Sequence, residues 1–153
     1  MVKKSKIFSV KKAEDSSGFL LWQVTSLWQR SLNRILKKHR LTQPQFVVLA
    51  STQWLNISDP HVTQSDISKH AMMDKMLVSN LVRTLERKKL LNRFRSKQDT
   101  RANIIVPTQE GVKLLSVAVK EVEKFDSSFV SPLGKKVKNF NDHLLELIKA
   151  NKE

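Results

Sequence analysis

The chain has no cysteine among its 153 residues. Disulfides, thiol redox sensing and cysteine metal sites are therefore excluded. Only three glycines are present, and no glycine-rich loop that could cradle phosphates is among them. Long apolar runs are missing too. The longest are Phe19 to Trp22 and Phe46 to Ala50, far short of a membrane span. The first residues are basic (Lys3, Lys4, Lys6, Lys11, Lys12), but no apolar signal core follows closely, so a cytoplasmic protein is expected. No nucleophile motif or convincing pair of acids occurs, and neither enzymatic activity nor a cofactor is expected. His39, His61, His70 and His143 are scattered. His143 and Glu146 share a helix face at a spacing that can bind metal, but one such pair lacks the ligand density of a zinc site, and no metal is expected.

Acid is also scarce. Fourteen acidic residues face 28 basic ones, for a net charge of +14. That balance points to a polyanionic partner, chiefly nucleic acid or an anionic membrane. The excess is concentrated: residues 83 to 97 hold Arg83, Arg87, Lys88, Lys89, Arg93, Arg95 and Lys97 against Glu86 alone. A solvated surface is the ordinary meaning of a charge run. Nearly half the excess in so short a stretch favours a binding surface instead.

Along the chain, residues 1–16 read as a basic arm. Leu20, Val24, Leu27, Trp28, Leu32 and Ile35 recur at helical spacing. Thr42-Gln43-Pro44-Gln45 is a helix start, with Thr42 and Gln45 as a capping box and Pro44 in the first turn. Phe46, Leu49 and Ala50 are expected to face inward, and Asp59-Pro60 marks a turn. Thr63 can cap a short helix with Asp66 in its first turn, favoured by the helix dipole. Asp74 can cap the next helix, whose buried stripe is Val78, Leu81, Val82 and Leu85. Leu90 to Arg95 and Ile104 to Val106 can form a hairpin joined by 96 to 102. Thr108 caps a further helix in which Gly111, Leu115, Ala118, Val122, Phe125 and Phe129 form a heptad-like seam. Ser131-Pro132-Leu133-Gly134 breaks it, and Val137, Phe140, Leu144 and Leu147 pattern a last helix.

Two short helices followed by a hairpin is the plan of a winged helix-turn-helix, whose second helix enters the major groove. Opposite its buried stripe that helix offers Lys75, Met76, Ser79, Asn80 and Arg83. Arg can bond guanine in pairs, Asn adenine, Ser either, and Met can touch a thymine methyl. An amphipathic surface helix would show the same face; the basic hairpin after it favours DNA.

At these residues the chain resembles the MarR (multiple antibiotic resistance regulator) family of transcription regulators. The resemblance is carried by LTQPQFVVL at 41–49, MDKMLVSNLVRTLERKKLLNR at 73–93 and DTRANIIVPTQEG at 99–111. It implies a mainly α fold with a small two- to three-stranded wing (α+β). Residues 41–108 would be the winged helix-turn-helix, with a helical dimerisation region from both chain ends, 17–40 and 109–153. Apolar stripes at both ends agree with a homodimer, the alternative being that they pack on their own chain. A two-fold dimer would set two recognition helices about 34 Å apart on a pseudo-palindromic site.

On this reading Ser79, Asn80 and Arg83 read bases. Lys75, Arg87, Lys88, Arg93 and Arg95 hold phosphates, and Lys97 and Arg101 sit on the wing near the minor groove. Asp99 fits two roles: pairing with a nearby Arg such as Arg101, or forming the turn. Lys89 stands where the family has Gly, so that helix end is either strained or closed differently. Pro107 stands where the family has Leu, so the strand ends there or lies at an edge. The expected function is sequence-specific regulation of transcription, as a repressor by family habit. The alternative is sequence-nonspecific coating of nucleic acid. Relatives bind small aromatic or phenolic effectors; Trp28, His39 and Trp54 are the candidates here, against plain roles in a core or interface. The lysine-rich arm fits adjacent DNA or a membrane surface.

Overall fold

The computed structural model describes residues 7–97 and 99–152. Lys3, Lys4 and Lys6 of the expected arm, and Gln98 of the expected wing tip, lie outside the described residues. The order of elements is α1 (Ser17–Lys38), α2 (Gln43–Asn56), α3 (Gln64–Ala71), α4 (Lys75–Arg87), β1 (Leu91–Arg95), β2 (Asn103–Pro107), α5 (Gln109–Val130) and α6 (Val137–Asn151). The fold is mainly helical with a small antiparallel wing, as expected.

The expected caps close their helices. The side chains of Thr42, Thr63, Asp74 and Thr108 accept backbone N–H groups at the starts of α2, α3, α4 and α5. Each satisfies a donor that has no partner within its helix. At α2 and α3 the box is reciprocal, with Gln45 and Asp66 reaching back to the cap residue. Asp66 accepts the Thr63 hydroxyl at 2.6 Å, and chiefly this bond holds its carboxyl below the usual range.

The core lies where α2, α3 and α4 meet the wing. Val48, Leu49, Val62, Ile67, Val78, Val82, Leu85, Leu91 and Ile105 are buried there. Phe46, Leu49 and Ala50 face inward as expected, Leu49 fully buried and Phe46 and Ala50 packed half-buried against the core, and the buried face of α2 extends further, to Val48, Ser51 and Thr52. Thr52 is tolerated because its hydroxyl donates to the Val48 carbonyl at 2.7 Å.

In the wing Leu91 pairs with Pro107 and Arg95 with Asn103. A third strand is reduced to one bridge between Thr63 and Ile104, with the Ile105 N–H donating to the Val62 carbonyl at 2.8 Å. Pro107 ends β2, where its missing N–H leaves no gap; the next donor, Thr108 N–H, meets the Leu90 carbonyl at 3.0 Å.

The left-handed turn at Lys89 (φ 60°) closes α4. Lys89 N–H meets the Glu86 carbonyl and Leu90 N–H the Leu85 carbonyl, both at 2.9 Å, which is a Schellman closure without glycine. Arg40 (φ 55°) and Met72 (φ 53°) end α1 and α3 in the same conformation.

The seam of α5 differs from its expected role. Gly111, Leu115, Ala118 and Val122 are buried within the chain itself, against α1 and α2. The apolar surface left uncovered lies elsewhere. On the first half of α1, Phe19, Leu20, Leu21, Trp22, Val24 and Leu27 are exposed, Trp22 by 71%. On α6 no residue is buried, and Leu145, Leu147 and Ile148 face solvent. The end of the basic arm adds Phe8 and Val10 beside Phe19. Among the described residues no helix is long and apolar enough to cross a membrane.

Candidate nucleic-acid interface

Helix α4 has two sides. Val78, Val82 and Leu85 are fully buried and anchor it. At 100° per residue, Met76, Ser79, Asn80, Arg83 and Arg87 fall together on the opposite side. Met76 is 69% exposed, Asn80, Arg83 and Arg87 are exposed, and Ser79 is half-buried. Lys75 is exposed in the first turn. A shallow hollow between Asn80, Arg83, Thr84, Glu86 and Arg87 runs along this side. Thr84 was not singled out by sequence reasoning, yet it orders the row: its hydroxyl donates to the Asn80 carbonyl and accepts Arg87 Nη2 at 3.2 Å. A Thr one turn before an Arg is the local signal that could have found it.

The wing continues this surface. Lys97, Asp99 and Arg101 are exposed at its tip. Asp99 serves the turn: its Oδ1 accepts the Arg101 backbone N–H at 2.9 Å, and its own N–H donates to Ser96 Oγ at 3.1 Å. Among the described residues no ion pair joins it to the Arg101 side chain, which corrects the expected pairing. Ser96 N–H then meets the Ala102 carbonyl, closing the loop.

Four of the expected phosphate holders have partners inside the molecule, Arg87 through the Thr84 hydroxyl already described. Arg93 Nη2 sits 3.2 Å from Glu86 Oε2, linking β1 to α4. Arg95 Nε donates to the Thr100 carbonyl at 3.3 Å. Lys88 has two acceptors: Nζ donates to the Arg40 carbonyl at 2.7 Å and to Gln45 Oε1 at 2.9 Å. Sequence reasoning placed Gln45 in the capping box alone and did not single out Arg40, because neither is near Lys88 in the chain.

The effector candidates do not form one cluster of contacts. Trp28 Nε1 donates to Asp126 Oδ1 of α5 at 2.8 Å. His39 Nε2 lies 3.5 Å from Glu121 Oε2, also on α5, and is buried without a hydrogen-bond partner. Trp54 is 68% exposed on the last turn of α2. His143 and Glu146 are exposed and 3.5 Å apart, and no group of three such ligands occurs among the described residues.

A buried-anchored helix with an Asn, Ser and Arg face, reached by a basic two-stranded wing, defines a winged-helix, DNA-binding regulator of transcription. Comparison with known proteins gives the family. Residues 30–117 match the family described as Transcriptional regulator SarA/Rot, and the chain belongs to it. Over 134 residues the chain is 38% identical to YdcH of Bacillus subtilis (strain 168), an uncharacterized HTH-type transcriptional regulator, covering 88% of this chain and 90% of that protein. Among solved structures, the S. aureus MepR–DNA complex is 26% identical with a TM-score of 0.79, covering 91% of this chain and 99% of that one. A MarR-family regulator from Rhodococcus sp. RHA1 shares the fold at 22% identity and a TM-score of 0.79, covering 90% of this chain and 96% of that one. The resemblance to the MarR family is borne out.

Proposed function

We propose that this regulator is a homodimeric, sequence-specific repressor that reads a pseudo-palindromic site with two copies of α4. The observation that carries the reading is the exposed row Met76, Asn80, Arg83 and Arg87, with half-buried Ser79 beside it, opposite a fully buried stripe. Met76, Ser79, Asn80 and Arg83 would meet base edges. Lys75, Arg87 and Arg95 would hold phosphates, and Lys97 and Arg101 the minor-groove side. Uncovered apolar surface on α1 and α6 supports the dimer, since monomers rarely expose so much of it in one place. Repression follows from a dimer lying across about one turn of DNA and excluding the transcription machinery.

Selection of bound fragments from random DNA tests this directly. A palindromic consensus is expected; no enrichment would sink the reading and leave nonspecific coating in its place. With the site in hand, Arg83→Ala should weaken binding by about 1–3 kcal/mol and relax preference at one base pair. Equal weakening on random DNA would make Arg83 a phosphate contact instead.

Relief by a small aromatic acid belongs to the same proposal, supported by His39 Nε2, which is buried without a hydrogen bond and 3.5 Å from Glu121 Oε2 of α5. Release of DNA by such an acid, abolished in Trp28→Ala, is the expected outcome. Unchanged binding across a broad panel of aromatic acids would remove this part alone.

A further inference from the structure

Lys88 is the first residue past α4. Its two acceptors lie 48 and 43 residues away, at the end of α1 and in the capping box of α2. Both acceptors are themselves fixed. Arg40 closes α1 in a left-handed conformation, with its N–H on the Lys37 carbonyl and Leu41 N–H on the Leu36 carbonyl. Gln45 is buried, and the same Oε1 also accepts the Thr42 N–H at 3.2 Å. The next residue is held from the other side: the Lys89 carbonyl accepts the Thr108 hydroxyl at 2.6 Å. Consecutive residues thus tie the end of α4 to the α1–α2 turn and the start of α2 through one bond set, and to the start of α5 through the other.

We propose that Lys88 is a positioning residue for base readout and not a phosphate contact: it sets the tilt of α4 against the turn between α1 and α2 and the start of α2. The proposal rests on the reading of α4 as the DNA-reading helix. Burial of Val78, Val82 and Leu85 fixes which side of α4 faces the core, but apolar contact is non-directional and tolerates small pivots. A charged donor with two acceptors on other elements is directional and stronger than a neutral bond. Helix α4 has 13 residues, so it is about 20 Å long, and a 5° tilt at one end moves the other by about 1.7 Å. Paired bonds to base edges do not survive such a shift. Attraction to phosphates does, because it depends on charge more than on angle.

The signature is therefore a split between specific and random DNA. The full chain is titrated against its selected site and a random duplex at several salt concentrations. Lys88→Met is expected to lose about tenfold on the site. On random DNA it should lose less than about twofold, and its slope of log affinity on log salt should match the wild type. A phosphate contact would lower that slope by about 0.9 and weaken both duplexes alike; that result overturns the proposal, as does binding equal to wild type. Lys88→Arg, which can still donate to both acceptors, should recover most of the loss.

Gln45→Met removes an acceptor without changing charge or any group on the α4 face. It should reproduce the site-selective loss and combine with Lys88→Met to less than the sum of the two. Additive losses would overturn the proposal. Should Gln45→Met fail to fold at the assay temperature, by circular dichroism, the Lys88→Met salt slope decides alone. A wild type with no site preference would overturn both this inference and the function it rests on; a selective wild type with an unaffected Lys88→Met overturns this inference only.

Discussion

The centre of the chain and its two ends treat apolar side chains differently. From Leu41 to Ile105 most large aliphatic residues find one another, Ile57 and Leu77 aside, and Val48, Leu49, Ile67, Val78, Val82, Leu85 and Ile105 are wholly buried. At the ends the same residue types face water, on the first half of α1 and along α6. The local chemistry differs in the same sense only at α6. Helices α1 to α5 each begin with a side chain that accepts a free backbone N–H, so at the ends only α6 lacks such a cap, and it buries nothing. The centre is a finished unit. The ends leave apolar surface in solvent, and in the proposed dimer a second copy would bring matching faces by symmetry.

The largest way to break this contrast is to charge the uncovered surface. Leu21→Glu combined with Leu145→Glu should leave helix content near wild type by circular dichroism while halving the mass seen by sedimentation. Binding to the full palindrome should fall by about two orders of magnitude or more, because linked half-sites gain that much from being held together. Binding to a single half-site should barely change. Loss of helix content instead of mass would mean that α1 and α6 belong to the chain's own core.

Gly111 lies at the junction of the two regions. A Cβ there would stand 2.1 Å from the Leu90 carbonyl oxygen, which also accepts the Thr108 N–H. Backbone on both sides must move, so Gly111→Ala should cost about 3 kcal/mol in thermal or urea unfolding. It should also weaken specific DNA binding, because the displaced carbonyl borders the turn that ends α4. A cost near zero would show that centre and ends are joined less tightly than this approach implies.

A smaller effect is expected within the centre. The Asp66 carboxyl is held below its usual range first by the Thr63 hydroxyl, then by the Thr63 N–H and the charge of Lys69, against partial burial. A depressed folded value means stabilisation that is full above the unfolded value near 4 and lost as pH falls through the lower folded value. Asp66→Asn should therefore cost about 1 kcal/mol at neutral pH, the usual worth of a cap. Its deficit against wild type should stay level down to about pH 5 and shrink below about pH 4. A deficit independent of pH would mean that the charge of Asp66 contributes nothing.

What could be read from the sequence was local. Thr42, Thr63, Asp74 and Thr108 announced themselves because a cap and the N–H it binds are two or three residues apart. The polar row on α4 was legible because one period fixes both sides of a helix. Periodicity says that a stripe is buried without saying by what, and so the α5 seam, read as an association surface, packs on its own chain. Charge was legible as a sum but not as a set of partners. The charge of Lys88 is plain in the sequence, but its acceptors, 43 and 48 residues distant, are not. Asp99 went the other way: its residue type favours turns, and the turn is what it makes.

The smallest effect tests how the centre closes its reading helix. Lys89 adopts φ 60°, where a Cβ crowds the following carbonyl, at a cost of roughly 1–2 kcal/mol for a residue other than glycine. Glycine loses that strain but gives back part of it through a freer unfolded chain. Lys89→Gly should therefore stabilise the fold by about 0.5–1 kcal/mol, a rise of a few degrees in melting temperature for a chain of this size. The bonds from the Lys89 N–H and to its carbonyl are made by backbone, so they survive the change. Nonspecific affinity should fall slightly with the lost charge, while the specificity ratio should hold if Lys88 alone sets the tilt of α4. A melting temperature below wild type would show that the Lys89 side chain stabilises the turn by more than its strain costs.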